Sequence, residues 1–201
     1  MKVLRESKGM LSATIREIDH DGKTVVEKEF RGTDFFTRLI FGPFMLRREE
    51  KALRRLEGMA GIPKVFGRSK EGGLLLERVD GKPMKSYQAG ELPDSFLEKL
   101  IALVSRMHER GVVHLDLRHN KNILVTSDGD PLLLDFANAF RWNVLLFPLW
   151  GIFKKVDRGA ILKQKRRNFP HLLTEDEKKA LGRHRFFRRL WIFTKPGRHS
   201  R

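Results

Sequence analysis

The chain has 201 residues, enough for one domain or one small two-lobed unit. It contains no cysteine, which excludes a disulfide framework, a cysteine-based zinc site and a thiol nucleophile. Its net charge of +16 is concentrated, with sixteen Lys/Arg against four Asp/Glu in residues 154–201; that basic tail points to an anionic partner, either a membrane surface, a phosphorylated sugar-lipid or nucleic acid. No stretch approaches the roughly 20 apolar residues of a membrane span, and the charged start carries no apolar run of the signal-peptide kind.

Residues 2–30 read as strands. Lys2-Val3-Leu4 and Ala13 to Ile18 are separated by Ser7-Lys8-Gly9, and Asp21-Gly22 is a hairpin turn into a third strand, Thr24 to Phe30. Residues 31–42 read as a connector containing Gly32 and Gly42. Pro43 then opens a helix to Leu56, with Gly58 beyond its end. Leu46, Leu53 and Leu56 mark its core face. Glu49 shares that face and therefore needs a partner, whereas Glu50 lies one position round. Gly61 to Gly67 and Leu74 to Glu77 add two strands, completing a five-stranded sheet. Pro93-Asp94 starts an amphipathic helix to about Glu109.

The most informative stretch runs from Met107 to Phe140. Gly111 stops the helix, Val112-Val113 lead to His114-Leu115-Asp116-Leu117, and Asn122 to Val125 is followed by a polar turn, Ser127 to Asp130. Leu132 to Leu134 then lead to Asp135-Phe136-Ala137. An Asp, an Asn and a second Asp are thus fixed at the ends of two short strands. Phosphoryl transfer needs such a layout: one carboxylate to orient the attacking hydroxyl, and an Asn and a carboxylate to hold metal on nucleotide phosphates.

From Phe140 to Phe153, ten of fourteen residues are large and apolar, including two Trp, with Lys154-Lys155 at the edge. This segment reads either as a helix buried against the lobe or as an interfacial helix at a bilayer. Asp157 starts a short helical piece ending in Lys163 to Arg167. Thr174 to Glu177 is a capping box that opens a helix through about Trp191, and Lys195 to Arg201 is a frayed end.

The ordered set His114-x-Asp116-Leu117, Asn122-Ile123-Leu124 and Asp135-Phe136 resembles the catalytic core of the protein-kinase-like superfamily. The reduced plan of residues 1–140 is similar to the small bacterial lipopolysaccharide core-sugar kinases and the RIO-type atypical kinases. The resemblance implies an α+β, two-lobed kinase-like fold with a small antiparallel sheet lobe and a mainly helical C-terminal lobe. Its divisions would be residues 1–79 for the nucleotide-binding lobe, 80–153 for the catalytic lobe and 154–201 for a basic helical tail.

It also implies roles. Asp116 would be the base or hydroxyl-orienting residue, and Arg118 would neutralise charge on the transferred phosphoryl unless it is a surface arginine. Asn122 and Asp135 would bind Mg²⁺ (or Mn²⁺), and His114 would be structural. Lys28 would hold the ATP phosphates, aimed by Glu49 with Glu50 as runner-up. Ser7 and Gly9 would lie over the phosphates or form an ordinary turn, and Glu77 to Gly81, with Val79, would be the hinge facing adenine. The departures are an Asn placed six residues after Asp116 instead of five, with Asn120 as fallback, Ala137 in place of glycine, Leu115 in place of the loop arginine, and no G-x-G-x-x-G. Activation by loop phosphorylation is not expected.

The function so implied is ATP- and Mg²⁺-dependent phosphorylation of a hydroxyl, with a sugar of a lipid-linked glycan as first acceptor. It would take place in the cytoplasm or at the inner face of the cytoplasmic membrane. The alternatives are a RIO-type Ser/Thr protein kinase whose basic tail contacts RNA or ribosomal particles, and a nucleotide-binding pseudokinase.

Overall fold

Asp21 and Gly22 both adopt positive φ, 53° and 74°, as the tight turns that match strand twist require. The turn joins β2 (Thr14–His20) to β3 (Lys23–Glu29) in unbroken antiparallel register from His20↔Lys23 to Thr14↔Glu29. The structure is a computed structural model that describes residues 2–5, 13–30, 35–143 and 147–179. With β1 (Lys2–Arg5), β4 (Val65–Arg68) and β5 (Leu74–Glu77), the hairpin forms the expected five-stranded antiparallel sheet in the order β1-β2-β3-β5-β4. Strand β4 is shorter than the sequence suggests. Gly61 stays outside it, and its carbonyl accepts the Leu133 N–H (2.9 Å), tying the loop to the C-terminal lobe.

Helix α1 (Gly42–Arg55) crosses behind the sheet. The segment read as a connector up to Gly42 is already helical from Phe35, and Thr37–Phe41 forms a π-helical turn running straight into α1. Pro43 explains the wide turn, because its nitrogen cannot donate to the preceding turn. The Gly42 N–H instead reaches back five residues to the Thr37 carbonyl. Gly42 is also packed against Phe30, and a Cβ there would stand 2.7 Å from the Phe30 Cβ and 2.9 Å from the Thr37 carbonyl oxygen.

After a two-strand segment with β6 (Lys82–Pro83), helix α2 (Asp94–Glu109) forms the spine of the C-terminal lobe, burying Phe96, Leu100, Val104 and Met107 at its spacing of three and four. The short strands β7 (Val112–Val113), β8 (Ile123–Val125), β9 (Pro131–Leu133) and β10 (Phe140–Arg141) follow. They pair as β6-β8-β9 and β7-β10, which brings the ends of β7, β8 and β9 together.

Helix α3 runs unbroken over Phe147–Asn168, where the sequence suggested an apolar segment and then a separate piece from Asp157. Pro148 falls in its first turn, where proline is tolerated, and Gly151 and Gly159 meet no obstacle. Its inner face is Asp157, Ala160, Ile161, Gln164 and Asn168, all buried; Leu149, Ile152 and Val156 are exposed. The apolar segment is therefore divided between the two readings. Phe153 stacks on Phe140 (centroids 5.6 Å apart), while its neighbours face outward. The Thr174 capping box forms reciprocally, with the Glu177 N–H donating to Thr174 Oγ1 (3.2 Å) and the Thr174 N–H to Glu177 Oε2 (2.9 Å). The helix it opens is described to Lys179, and its expected extension to Trp191 lies outside the described residues. Among the described residues no helix is long and apolar enough to cross a membrane.

Gly42→Val should destabilise the protein by about 1–3 kcal/mol through overpacking against Phe30. Urea denaturation beside the parent checks this, and an unchanged midpoint would contradict the close approach.

Candidate active site

Lys28 lies on the central strand β3, and burial leaves it 6 % exposed. Its ammonium needs anions and finds two: Nζ donates to Glu49 Oε2 and to Asp135 Oδ1, each at 2.7 Å. The expected lysine–glutamate pair is present. Glu50, the runner-up, binds Arg54 and Arg68 on the outer side of α1 instead. Burial alone would lower the Lys28 ammonium, but the Glu49 and Asp135 carboxylates outweigh it and push it up to about 12. Burial holds Glu49 above its ordinary value. Burial would also raise Asp135, but Lys28 outweighs it and draws the carboxyl below the usual range.

Glu49 reaches further, since its Oε1 accepts the Phe136 N–H (3.2 Å). Beside it, Arg48 donates to the carbonyls of Asn138 and Ala139, both at 2.7 Å, and lies 3.7 Å over the Phe140 ring. Helix α1 thus grips both Lys28 and the backbone after Asp135. Ala137 sits in the 3-10 turn Phe136–Asn138 and is not among the residues with positive φ, so the glycine of the usual motif is dispensable here. Left-handed backbone falls instead on Asp135 and Leu115, each at φ 64°. Such conformations cost about 1–3 kcal/mol and persist where the surroundings enforce them.

At Leu115 the enforcing group is Asp157 of α3. Its Oδ1 accepts the Leu115 N–H and its Oδ2 the His114 N–H, both at 2.8 Å, and the His108 ring nitrogen Nε2 lies 2.9 Å from Oδ2. Sequence reasoning treated Asp157 as a helix start and missed this role. A signal was present, because Asp157 is the single acidic residue between Asp135 and Glu175. Gln164, one helical face further on, donates to the Leu117 carbonyl (2.9 Å) and secures the other end of the loop. His114 is structural as expected. Its Nε2 lies 3.0 Å from the Leu134 carbonyl oxygen and its Nδ1 accepts the Asp116 N–H (3.3 Å), an arrangement that assigns the proton to Nε2. Burial pushes its imidazolium below the usual histidine range, so the ring stays neutral.

Asn122, not Asn120, faces Asp116: its Nδ2 donates to the Asp116 carbonyl (3.1 Å) and to Asp116 Oδ2 (2.9 Å). A 3-10 turn over Asn120–Asn122 absorbs the extra loop residue. Asp116 is half-buried, and its Oδ1 lies 3.6 Å from His119 Nε2. The Arg118 side chain is exposed, and it is the Arg118 carbonyl that Lys163 and Gln164 hold. Glu77 ends β5, and its carboxylate accepts the Lys64 N–H (3.1 Å). Val79 is half-buried in the segment that follows, where a Cβ on Gly81 would come within 2.9 Å of the Val125 carbonyl oxygen. Ser7 and Gly9 lie outside the described residues.

Lys28, Glu49 and Asp135 thus form one linked set and Asn122 and Asp116 a second, and the Leu134 N–H, one residue before Asp135, donates to the Asn122 carbonyl (2.9 Å). Among the described residues no cluster of three or more His, Cys, Asp or Glu could cage a metal. One carboxylate and one amide oxygen suit a hard cation that completes its shell with phosphate and water. The side chains of Asp135 and Asn122 fit such a cation, and they are the two groups that would hold Mg²⁺ carried on a nucleotide.

Asp157→Ala should cost about 3–5 kcal/mol, because three buried partners lose a charged acceptor; denaturant unfolding measures it. The pH dependence has a defined sign. His114 and Asp135 are both depressed in the fold, so the unfolded chain binds more protons and stability is lost on acidification. Lys28, raised to about 12, loses its contribution only on the alkaline side of the ordinary lysine range, and raised Glu49 partly offsets the acid loss. The melting midpoint should therefore be flat between about pH 7.5 and 9.5 and fall below about 6.5 as the unfolded histidine titrates. A midpoint that rises on acidification would contradict the assignment.

Comparison with known proteins agrees with this geometry. The RIO domain matches residues 20–144. The chain is 35% identical over 147 residues to a protein described as a probable SapB synthase of Streptomyces coelicolor, covering 59% of this chain and 15% of that one. It is 30% identical over 98 residues to a probable serine/threonine-protein kinase of Dictyostelium discoideum, covering 48% and 15% respectively. The chain thus spans only a small part of these two relatives. The crystal structure of the Rio2 kinase from Chaetomium thermophilum superposes with a TM-score of 0.66 at 20% identity over 89% of this chain and 62% of that one. An ADP/Mg²⁺-phosphoaspartate complex of the same kinase matches equally, at 0.66. With the matched RIO domain covering more than half its length, the chain belongs to the RIO-domain family and has a protein-kinase-like fold.

Proposed function

We propose that the protein is an ATP- and Mg²⁺-dependent phosphotransferase of the RIO type whose acceptor is a serine or threonine hydroxyl of another protein. The observation that carries this reading is the suspension of Lys28 between Glu49 and Asp135, opposite the Asp116–Asn122 pair. Asp135 and Asn122 would hold the Mg²⁺ carried with the nucleotide, which would supply positive charge against the phosphates. Lys28 would turn from Asp135 towards the phosphate oxygens while Glu49 keeps its direction. Asp116, 2.9 Å from Asn122, is positioned to accept a proton from the attacking hydroxyl. The γ-phosphoryl passes to that oxygen as the bond to the bridging oxygen of ADP breaks.

The lipid-linked glycan acceptor expected from the sequence has no support among the relatives described above, and a serine/threonine-protein kinase stands among them. A protein acceptor is therefore the better reading of the two. The basic tail that prompted an RNA or ribosomal partner is described as far as Lys179, and residues 180–201 lie outside the described residues. Exposed Arg118 keeps the phosphoryl-facing role proposed for it only if its guanidinium swings inward, which makes it the weakest member of the catalytic set.

The full chain incubated with radiolabelled ATP, Mg²⁺ and a general protein acceptor should transfer label. Asp116→Ala should lower transfer by about 10²–10⁴-fold while leaving nucleotide affinity nearly unchanged. Asp135→Asn should remove the Mg²⁺ dependence of nucleotide binding. Label resistant to hydroxylamine identifies a phosphoester on serine or threonine. Hydroxylamine-labile label would assign it to a carboxylate, as in the Chaetomium complex. Nucleotide binding without turnover would favour the pseudokinase reading, and no nucleotide binding would overturn both.

A further inference from the structure

The sheet lobe and helix α3 each present an apolar face that the phosphotransfer site does not use. Phe35, Phe36, Leu39, Ile40 and Phe44 are between 56% and 71% exposed. They form two adjacent rows at helical spacing, Phe36-Ile40-Phe44 and Phe35-Leu39, on the turns that lead into α1. On α3, Leu149, Ile152 and Val156 repeat at intervals of three and four and are between 41% and 55% exposed, and Trp142 just before the helix is 48% exposed. The two faces are joined by a stack: Arg48 of α1 lies over Phe140, and Phe140 lies over Phe153 of α3.

The charges around these faces are predominantly basic; Glu50 lines the groove beside Leu39, Ile40 and Phe44 but is paired with Arg54 and Arg68. Residues 35–48 contain three arginines and no acid, and residues 136–156 contain Arg141, Lys154 and Lys155 and no acid. Lys154 sits 5.9 Å over the Trp150 ring, its charge at the border of the apolar stripe. In sequence the tail has the same character, since residues 183–193 hold four arginines among six large apolar side chains. A polyanion such as RNA would reward the cations but not the exposed aliphatic Leu39, Ile40, Leu149 and Ile152. A surface both apolar and anionic rewards both, and an anionic bilayer is large enough to meet separated segments at once.

We propose that the apolar, base-rimmed faces at the start of α1 and the start of α3 form one docking surface for an anionic lipid bilayer, on which the protein lies without spanning it. Phe and Trp side chains enter the boundary between headgroups and acyl chains, and Arg38, Arg47, Arg141, Lys154 and Lys155 meet lipid phosphates. The surface is independent of the acceptor reading, because binding to lipid is read without phosphotransfer.

Co-sedimentation of the full chain with vesicles tests this, comparing phosphatidylcholine alone with phosphatidylcholine containing phosphatidylglycerol. Binding should require the anionic lipid. Leu39→Gln with Ile40→Gln, and separately Ile152→Gln with Val156→Gln, should each weaken it roughly tenfold, and the four together more. These exposed positions should leave the melting midpoint and nucleotide binding unchanged, which separates lost docking from lost folding. No binding to anionic vesicles would overturn the proposal, as would binding that neither pair affects, since it would then belong to the tail alone. An effect from only one pair would overturn the single surface. An RNA oligonucleotide whose binding is lost in the same variants would replace the bilayer as partner.

Discussion

One ammonium between two carboxylates organises this molecule. Lys28 comes from the central strand, Glu49 from α1 and Asp135 from the start of the 3-10 turn after β9, so three elements of distant sequence converge on one charge. Lys28 and Glu49 would each be costly to bury alone, and the geometry is tolerable because they are buried together, with half-buried Asp135 as a second anion on the lysine. The charge balance is deliberately incomplete: two carboxylates on one lysine leave a net negative centre. That excess is stable beside a cation and would be relieved by a divalent metal. The same residues that hold the lobes together in the free protein would therefore also favour the ion that the proposed reaction needs.

Helix α1 carries the consequences. Adjacent residues Arg48 and Glu49 hold the segment 136–140 by four separate contacts: to the Phe136 N–H, the Asn138 and Ala139 carbonyls and the Phe140 ring. In a kinase regulated by loop phosphorylation, a loop arginine would need a phosphate partner before this segment settled. Here Leu115 stands at that position, its backbone is fixed by Asp157, and the segment is ordered from α1 instead. Order is built in through unmodified side chains, consistent with a chain that has no long activation segment.

The parts of the site that could be read in the sequence are those whose chemistry is local. His114, Asp116, Asn122 and Asp135 stand within one stretch, at the ends of strands whose apolar runs are unambiguous, and the choice of Asn122 over Asn120 followed from its Ile-Leu-Val context. Glu49 was legible because a carboxylate on the apolar face of a helix demands a buried partner. Asp157 was overlooked because its partners, the His114 and Leu115 N–H groups and the His108 ring, lie more than forty residues away, and being the single acid between Asp135 and Glu175 does not say what it binds. The start of α1 was misplaced for a related reason. Pro43 is a sound signal for a first helical turn, but a π-helical turn can carry a helix across a proline without showing in residue spacing. Helix α3 was divided where hydrophobicity gave way to charge, although its continuous inner face, Asp157 to Asn168, includes polar residues whose value is apparent only against the catalytic loop.

Asp157 also shows why α3 cannot be regarded as a tail attached to a finished catalytic lobe. The left-handed Leu115 and the neutral, buried His114 are both unfavourable in isolation, and both are held by one carboxylate from this helix. Gln164, two turns on, holds the Leu117 carbonyl. The loop that presents Asp116 is therefore defined from outside itself, on one side by α3 and on the other by Asn122. The same helix that secures the loop through its inner face exposes Leu149, Ile152 and Val156 at its start. One unbroken helix thus joins the exposed apolar positions to the side chains that hold the backbone on either side of Asp116.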